Sequence, residues 1–231
     1  MKIIDLTLKL YDGLKTFSSH PKFTVLDQVT FEFSAPRYEA PCEGFASKLL
    51  IGSDHGGTHV DAPSHFIKGG KDIDEIPPEQ LLGSAVCIDV SDKDQHAVVD
   101  GDMLAKKCKE HNLEIKSGDI VLLRTFPGNW GEGEFHRWQG IGDDGAAWLQ
   151  EKGIKVLGVD LGVADEVGNP HRPVHMRMLG SEILLIENLV NLNLVANQRF
   201  LFIGLPLNVA GATASPIRAV AVLDKEDAFR E

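Results

Sequence analysis

The chain has 231 residues, 43% of them hydrophobic and 25% charged, with a formal net charge of −11. Such a composition can bury a core without a disulfide or metal staple, and it excludes long disorder. The acidity, with no run of Lys or Arg, excludes a nucleic-acid partner, and no apolar run approaches the ~20 residues of a membrane span.

From the N-terminus, residues 3–10 alternate apolar and polar side chains, as a half-buried strand does. The opening Met1-Lys2-Ile3-Ile4-Asp5 reaches an acid too early for a signal peptide, which points to the cytoplasm. Residues 23–33 predict a second strand, Pro36, Pro41 and Gly44 a loop, and residues 46–51 a third strand. Residues 52–57 are loop by composition. Residues 84–90 predict a buried strand with Cys87 as a small core residue. Cys42, Cys87 and Cys108 are odd in number and form no CxxC pair, against both a disulfide framework and a zinc ribbon.

Further on, Asp100 or Asp102 can N-cap a helix to about Glu110, with Lys106, Lys107 and Lys109 near its negative end. Residues 119–123 predict a strand, residues 143–152 a helix stopped by Gly153, and residues 155–159 a strand ending at Asp160. Residues 183–186, 200–203 and 219–223 are the remaining strands. No repeat or linker divides the chain. The expectation is one α/β domain over residues 1–231, strand-rich with short helices.

The segment that carries chemistry is His55-Gly56-Gly57-Thr58-His59-Val60-Asp61-Ala62-Pro63-Ser64-His65. Its glycines and Pro63 oppose a helix, so an extended loop that wraps closely around a small ion is expected. In His59-Val60-Asp61 the period of two aims residues 59 and 61 to one side and packs Val60 on the other. Imidazole and carboxylate without thiolate suit Zn²⁺, Mn²⁺ or Fe²⁺. A cation there would lower the pKa of water toward about 7, and His65 has the acid–base character to carry the proton to a leaving group. A lone histidine in a loop is usually structural; three with an aspartate in eleven residues are not readily explained that way. His175 and Glu187 flank an apolar stretch downstream, and on spacing alone that pair is a weak candidate.

With these motifs, the sequence resembles the cyclase-like metal hydrolases, which include bacterial kynurenine formamidases and isatin hydrolases. The resemblance rests on Ile4-Asp5-Leu6-Thr7, the central His55–His65 motif, Val159-Asp160, His175 with Ile186-Glu187-Asn188-Leu189, and Gly211-Ala212-Thr213-Ala214-Ser215-Pro216-Ile217-Arg218-Ala219. It implies a swivelling β/β/α fold, found as homodimers or larger oligomers such as tetramers. It also implies one or two divalent ions, zinc or manganese. His55 and His59 would hold one ion, Asp61 would bridge, His175 would bind the second ion, Glu187 would bridge both, and His65 would be the general acid/base.

Kynurenine formamidases carry an aromatic followed by Pro-Gly-Asp near the N-terminus, where this chain has Phe17-Ser18-Ser19-His20-Pro21. Phe17 could keep a substrate-stacking role although the residues after it differ. The stretch from Phe126 to Gly140, rich in aromatics and glycines, reads equally as pocket lining or packed loop. Hydrolysis of a small amide, lactam or ester by metal-bound hydroxide is the leading expectation. A metal-dependent cyclase or dehydratase and a non-catalytic metal-binding protein are the alternatives.

Overall fold

The computed structural model describes residues 1–223; residues 224–231 of the expected domain lie outside the described residues. The elements in order are β1 (Lys2–Asp5), β2 (Thr24–Val29), α1 (Phe31–Ser34), β3 (Ser47–Ile51), β4 (His59–Asp61), β5 (Leu82–Asp89), α2 (Gly101–Glu110), β6 (Ile120–Arg124), α3 (Asp143–Glu151), β7 (Val156–Val159), α4 (Pro173–Gly180), β8 (Leu184–Glu187), β9 (Arg199–Ile203), β10 (Ala214–Pro216) and β11 (Val220–Leu223). Nine strands form one mixed sheet, ordered β1-β11-β9-β5-β6-β7-β8-β4-β10, and β2 pairs with β3 in a separate ribbon. The neighbours β5-β6, β6-β7 and β7-β8 are parallel, and the other pairings are antiparallel.

The inner strands carry nearly unbroken apolar runs because both faces of a parallel sheet are covered. Along β5, Ala85 and Cys87 enter one core while Val86 and Ile88 enter the other, and β6 divides Ile120 and Leu122 from Val121 and Leu123 in the same way. Buried residues of α2, α3 and α4 pack into the second core. The first core is closed by the sheet's own curl, with Ile4, Leu6, Val60, Phe200 and Phe202 in it. A bridge between Thr7 and Leu189 ties the continuation of β1 to the chain after β8. Val190 N–H donates to the Leu6 carbonyl there at 3.0 Å. This is a single α/β domain of the β/β/α kind that the resemblance implies.

Several expected elements are shorter than the pattern suggests. The strand expected over residues 3–10 ends at Asp5, whose Oδ1 accepts the Thr7 N–H at 3.1 Å and turns the chain. That expected over residues 23–33 ends at Val29, because Thr30 Oγ1 accepts the Phe33 N–H and caps the turn of α1. Asp100, not Asp102, caps α2, accepting the Met103 N–H at 2.8 Å. Among the described residues no helix is long and apolar enough to cross a membrane.

Gly158 shows how closely the sheet packs on the first core. A Cβ there would lie 2.5 Å from Leu122 Cδ2 and 2.8 Å from Leu189 Cδ1, and both leucines are fully buried. Gly158→Ala should therefore cost about 1–3 kcal/mol, the usual range for overpacking. The check is the urea midpoint at constant slope; an unmoved midpoint would mean that the two leucines repack freely.

Candidate metal centre

The glycine-rich loop leads straight into β4, the short strand that builds the site. Gly57 has φ +73°, which favours glycine, and a Cβ there would also push aside the end of the Leu10 side chain, 2.4 Å away. Its carbonyl accepts from His59 Nδ1 at 2.9 Å. In β4, Val60 enters the first core while His59 and Asp61 project to the other side. Register then selects the partners. β4 lies between β8 and β10, with His59 opposite Glu187 and Asp61 opposite Ala214.

His175 arrives from a separate element, the helix α4. Pro173 occupies its first turn, and Asp165 Oδ1 accepts the Val174 N–H at 2.7 Å. The other oxygen of Asp165 pairs with His175 Nδ1. This leaves His175 Nε2 at 3.5 Å from Asp61 Oδ2 and 3.4 Å from Glu187 Oε1. Glu187 Oε1 is itself held by the Ala164 N–H at 2.8 Å. His55 is oriented from behind: its Nε2 lies 3.0 Å from Thr213 Oγ1, which donates to Asp54. Its Nδ1 is then 2.8 Å from Asp61 Oδ1.

All five candidate ligands are buried, Asp61 completely. Neither oxygen of Asp61 accepts a hydrogen bond from a described residue, although the nitrogens of His55, His59 and His175 stand 2.8, 3.3 and 3.5 Å away. A buried carboxylate without donors is costly unless a charge meets it. Imidazoles whose far nitrogens are already engaged are oriented as second partners orient metal ligands. The donor set therefore fits a divalent cation. Two candidate groups, His55-Asp61-His65 and His59-Asp61-Glu187, each keep their ligand atoms within 4.8 Å and share Asp61. Sharing is what a bridging carboxylate requires, though His55 is grouped here with His65 instead of with His59.

His65 differs from the other three histidines. It follows β4 in a short turn, is partly exposed, and its ring makes no hydrogen bond with a described residue. It stacks on His55 with centroids 3.9 Å apart. Burial pushes its pKa down to about 4, against the pull of Asp61, so the ring is neutral at pH 7. Phe17 and Phe66 line the cavity of about 280 Å³ in front of this cluster. His20, which spacing did not single out, also lines it, between Phe17 and His55 with Nδ1 unpartnered. Asp54, Asp165 and Thr213 were likewise not singled out: Asp54 acts on His55 through Thr213, 159 residues away, and Asp165 lies ten residues before His175 across a turn.

In the metal-free protein protons occupy the cation's place. Burial alone would lower the pKa of His59, but Asp61 and Glu187 raise it to about 9. Burial is likewise outweighed at His175, where Asp165, Asp61 and Glu187 raise the pKa to about 10. Burial works against ionisation of Asp61, yet the charge on His59 holds its carboxyl well below the usual range. Burial, with help from Asp61, pushes Glu187 the other way. The two imidazoliums stabilise the metal-free fold fully below their ordinary pKa near 6.5. That contribution is lost as pH climbs through about 9 and then about 10. A cation binds neutral imidazole, so zinc or manganese uptake at pH 7 should release protons and tighten as pH rises toward 9. Titration calorimetry in buffers of different ionisation enthalpy checks this; a binding heat independent of buffer would contradict it.

Comparison with known proteins identifies the family and the fold. The Cyclase family profile matches residues 4–166. A kynurenine formamidase from Bacillus cereus is 33% identical over 217 residues, covering 94% of this chain and 95% of the relative. Isatin hydrolase A from Labrenzia aggregata, solved with benzyl benzoate, shares the fold at TM-score 0.79 and 24% identity, covering 95% of this chain and 93% of that one. A protein described as a predicted metal-dependent hydrolase from Bacillus stearothermophilus does so at TM-score 0.71 and 23% identity, covering 95% of this chain and 97% of that one. A profile match over more than half the chain and a relative of this identity along nearly its full length give one conclusion: the chain belongs to the Cyclase family.

Proposed function

We propose that this protein hydrolyses small amides, linear or cyclic, with kynurenine formamidase-like chemistry. The observation that carries the reading is Asp61, a buried carboxylate with no hydrogen bond from a described residue, behind three oriented imidazoles that line a cavity. In this reading His55, His59, Asp61, His175 and Glu187 would hold one or two divalent ions, zinc or manganese. A cation so held polarises a carbonyl and acidifies water.

The remaining work falls to side chains of the chain itself. His65 is neutral, partly exposed and free at both ring nitrogens, so it can take a proton from the attacking water. It can then return that proton to the departing nitrogen as the C–N bond breaks. Phe17 and Phe66 supply the apolar walls against which an aromatic or acyl group rests. Asp165 and Thr213 hold their histidines in one tautomer and direction, so the site needs little rearrangement.

The ribbon of β2 and β3 supports a homodimer or homotetramer. A two-stranded ribbon is marginal alone, and this one with its flanking turns exposes Leu26, Phe31, Phe33, Leu49, Leu50 and Ile51. Apolar side chains gathered in this way mark a surface that another subunit covers. The cytoplasmic location and the single domain over residues 1–231 expected from the sequence belong to the same proposal.

Two experiments follow. Asp61→Ala should remove most bound metal, whereas His65→Asn should keep the metal and lose about 10²–10⁴ in turnover of an N-formyl aromatic amine. Elemental analysis and rates on the same preparations decide it; parallel loss of metal in His65→Asn would make His65 a ligand. Phe33→Asp with Leu50→Asp should yield monomers by sedimentation equilibrium, and an unchanged assembly would place the interface elsewhere.

A further inference from the structure

The cavity over the site does not end at the site. Thr16, Phe17, Gly162, Val163 and Arg172 are shared with a second, wider cavity of about 480 Å³. In a chain with 34 acidic and 23 basic residues, the lining of this outer cavity contains Lys15 and Arg172 and no Asp or Glu. Its other walls are mostly apolar, including Phe17, Phe135 and Trp138.

Neither cation is committed elsewhere. The side chains of Lys15 and Arg172 make no hydrogen bond or ion pair with any described residue, although the Arg172 carbonyl accepts the Met176 N–H at 2.9 Å as α4 begins. The acids nearest Arg172 in sequence are engaged: Asp165 by Val174 and His175, Glu166 by Asn169. Arg172 also adopts the left-handed conformation, φ 47° and ψ 52°, immediately before Pro173 and α4. An arginine is rarely found there, and such outliers gather at ligand clamps. It stands three residues from His175, where both cavities meet.

Resting on the amide-hydrolase reading above, we infer that the outer cavity is an anion subsite: Arg172 and Lys15 receive a carboxylate at the far end of the substrate from the scissile amide. The guanidinium fork matches a carboxylate's two oxygens, and the ammonium adds a point charge. The apolar walls take the stem that joins carboxylate to amide. Preferred substrates are therefore anionic amides long enough to reach from the His65 cavity into the outer one, and neutral amides of equal size bind less well.

The test compares 4-phenylbutyrate with 4-phenylbutan-1-ol on the purified protein as isolated, by calorimetry. A charge-assisted contact predicts that the carboxylate binds about tenfold to a hundredfold tighter. In Arg172→Gln that ratio should fall toward one, in Lys15→Gln part of the way, and in Arg172→Lys it should be partly kept. Equal binding of the two ligands by the wild type would overturn the subsite. So would an unchanged ratio in Arg172→Gln, which would mean that the carboxylate sits on the buried cluster instead. A purely structural role for Arg172 would weaken both ligands alike and lower the melting temperature, and that result also overturns it. The same pair of end groups on N-formylanilines tests turnover. If no amide is hydrolysed while the carboxylate preference and its loss in Arg172→Gln remain, the hydrolase reading fails and the subsite stands. If amides are hydrolysed without regard to charge, the subsite fails and the hydrolase reading stands.

Discussion

A carboxylate cannot be buried cheaply, and Asp61 is completely buried with neither oxygen receiving a hydrogen bond from a described residue. Three imidazoles stand around it instead, from the glycine loop, from β4 and from α4. Much of the surrounding architecture holds that arrangement in place. The curl of the sheet brings β4 beside β8, so that Glu187 faces His59 across one register step. The crossover from β7 to β8 carries Asp165, which begins α4 and grips His175. Thr213 reaches in from before β10 to orient His55 and is itself held by Asp54, the residue before His55.

The parts of this site that lie close in sequence were legible there. His55, His59, Asp61 and His65 fall within eleven residues, and the alternation across Val60 puts His59 and Asp61 on one side, as the strand does. What could not be read was the pairing. Glu187 joins the cluster because β8 is antiparallel to β4 in one register, and nothing in the spacing between residues 61 and 187 specifies that. The helix α4 was missed because eight residues after a left-handed arginine and a proline give barely two turns of pattern. Residues 126–140 proved to be both packing and lining. Phe126 and Phe135 enter the second core, Trp130 donates to Asn188 beside Glu187, and Trp138 covers Lys93 while facing the outer cavity.

Division of labour among the four histidines follows from their surroundings and not from their type. Three are tied at the far nitrogen, to Thr213, Gly57 and Asp165, and present the near one to Asp61. His65 has no such tie and keeps access to solvent. Rigid donors suit a cation, and a free neutral ring suits a proton that must be taken up and given back. The same logic separates the two carboxylates: Asp61 keeps its charge under the influence of His59, while burial raises the pKa of Glu187.

The central claim is that the imidazoles around Asp61 are metal ligands. Pulsed electron paramagnetic resonance of the protein loaded with Mn²⁺ tests it most directly, because nitrogen bound to manganese leaves a hyperfine signature that solvent oxygen does not. The account predicts imidazole nitrogen couplings in the wild type that are lost in Asp61→Ala together with the bound ion. Manganese carrying only water and carboxylate oxygen in the wild type would contradict it.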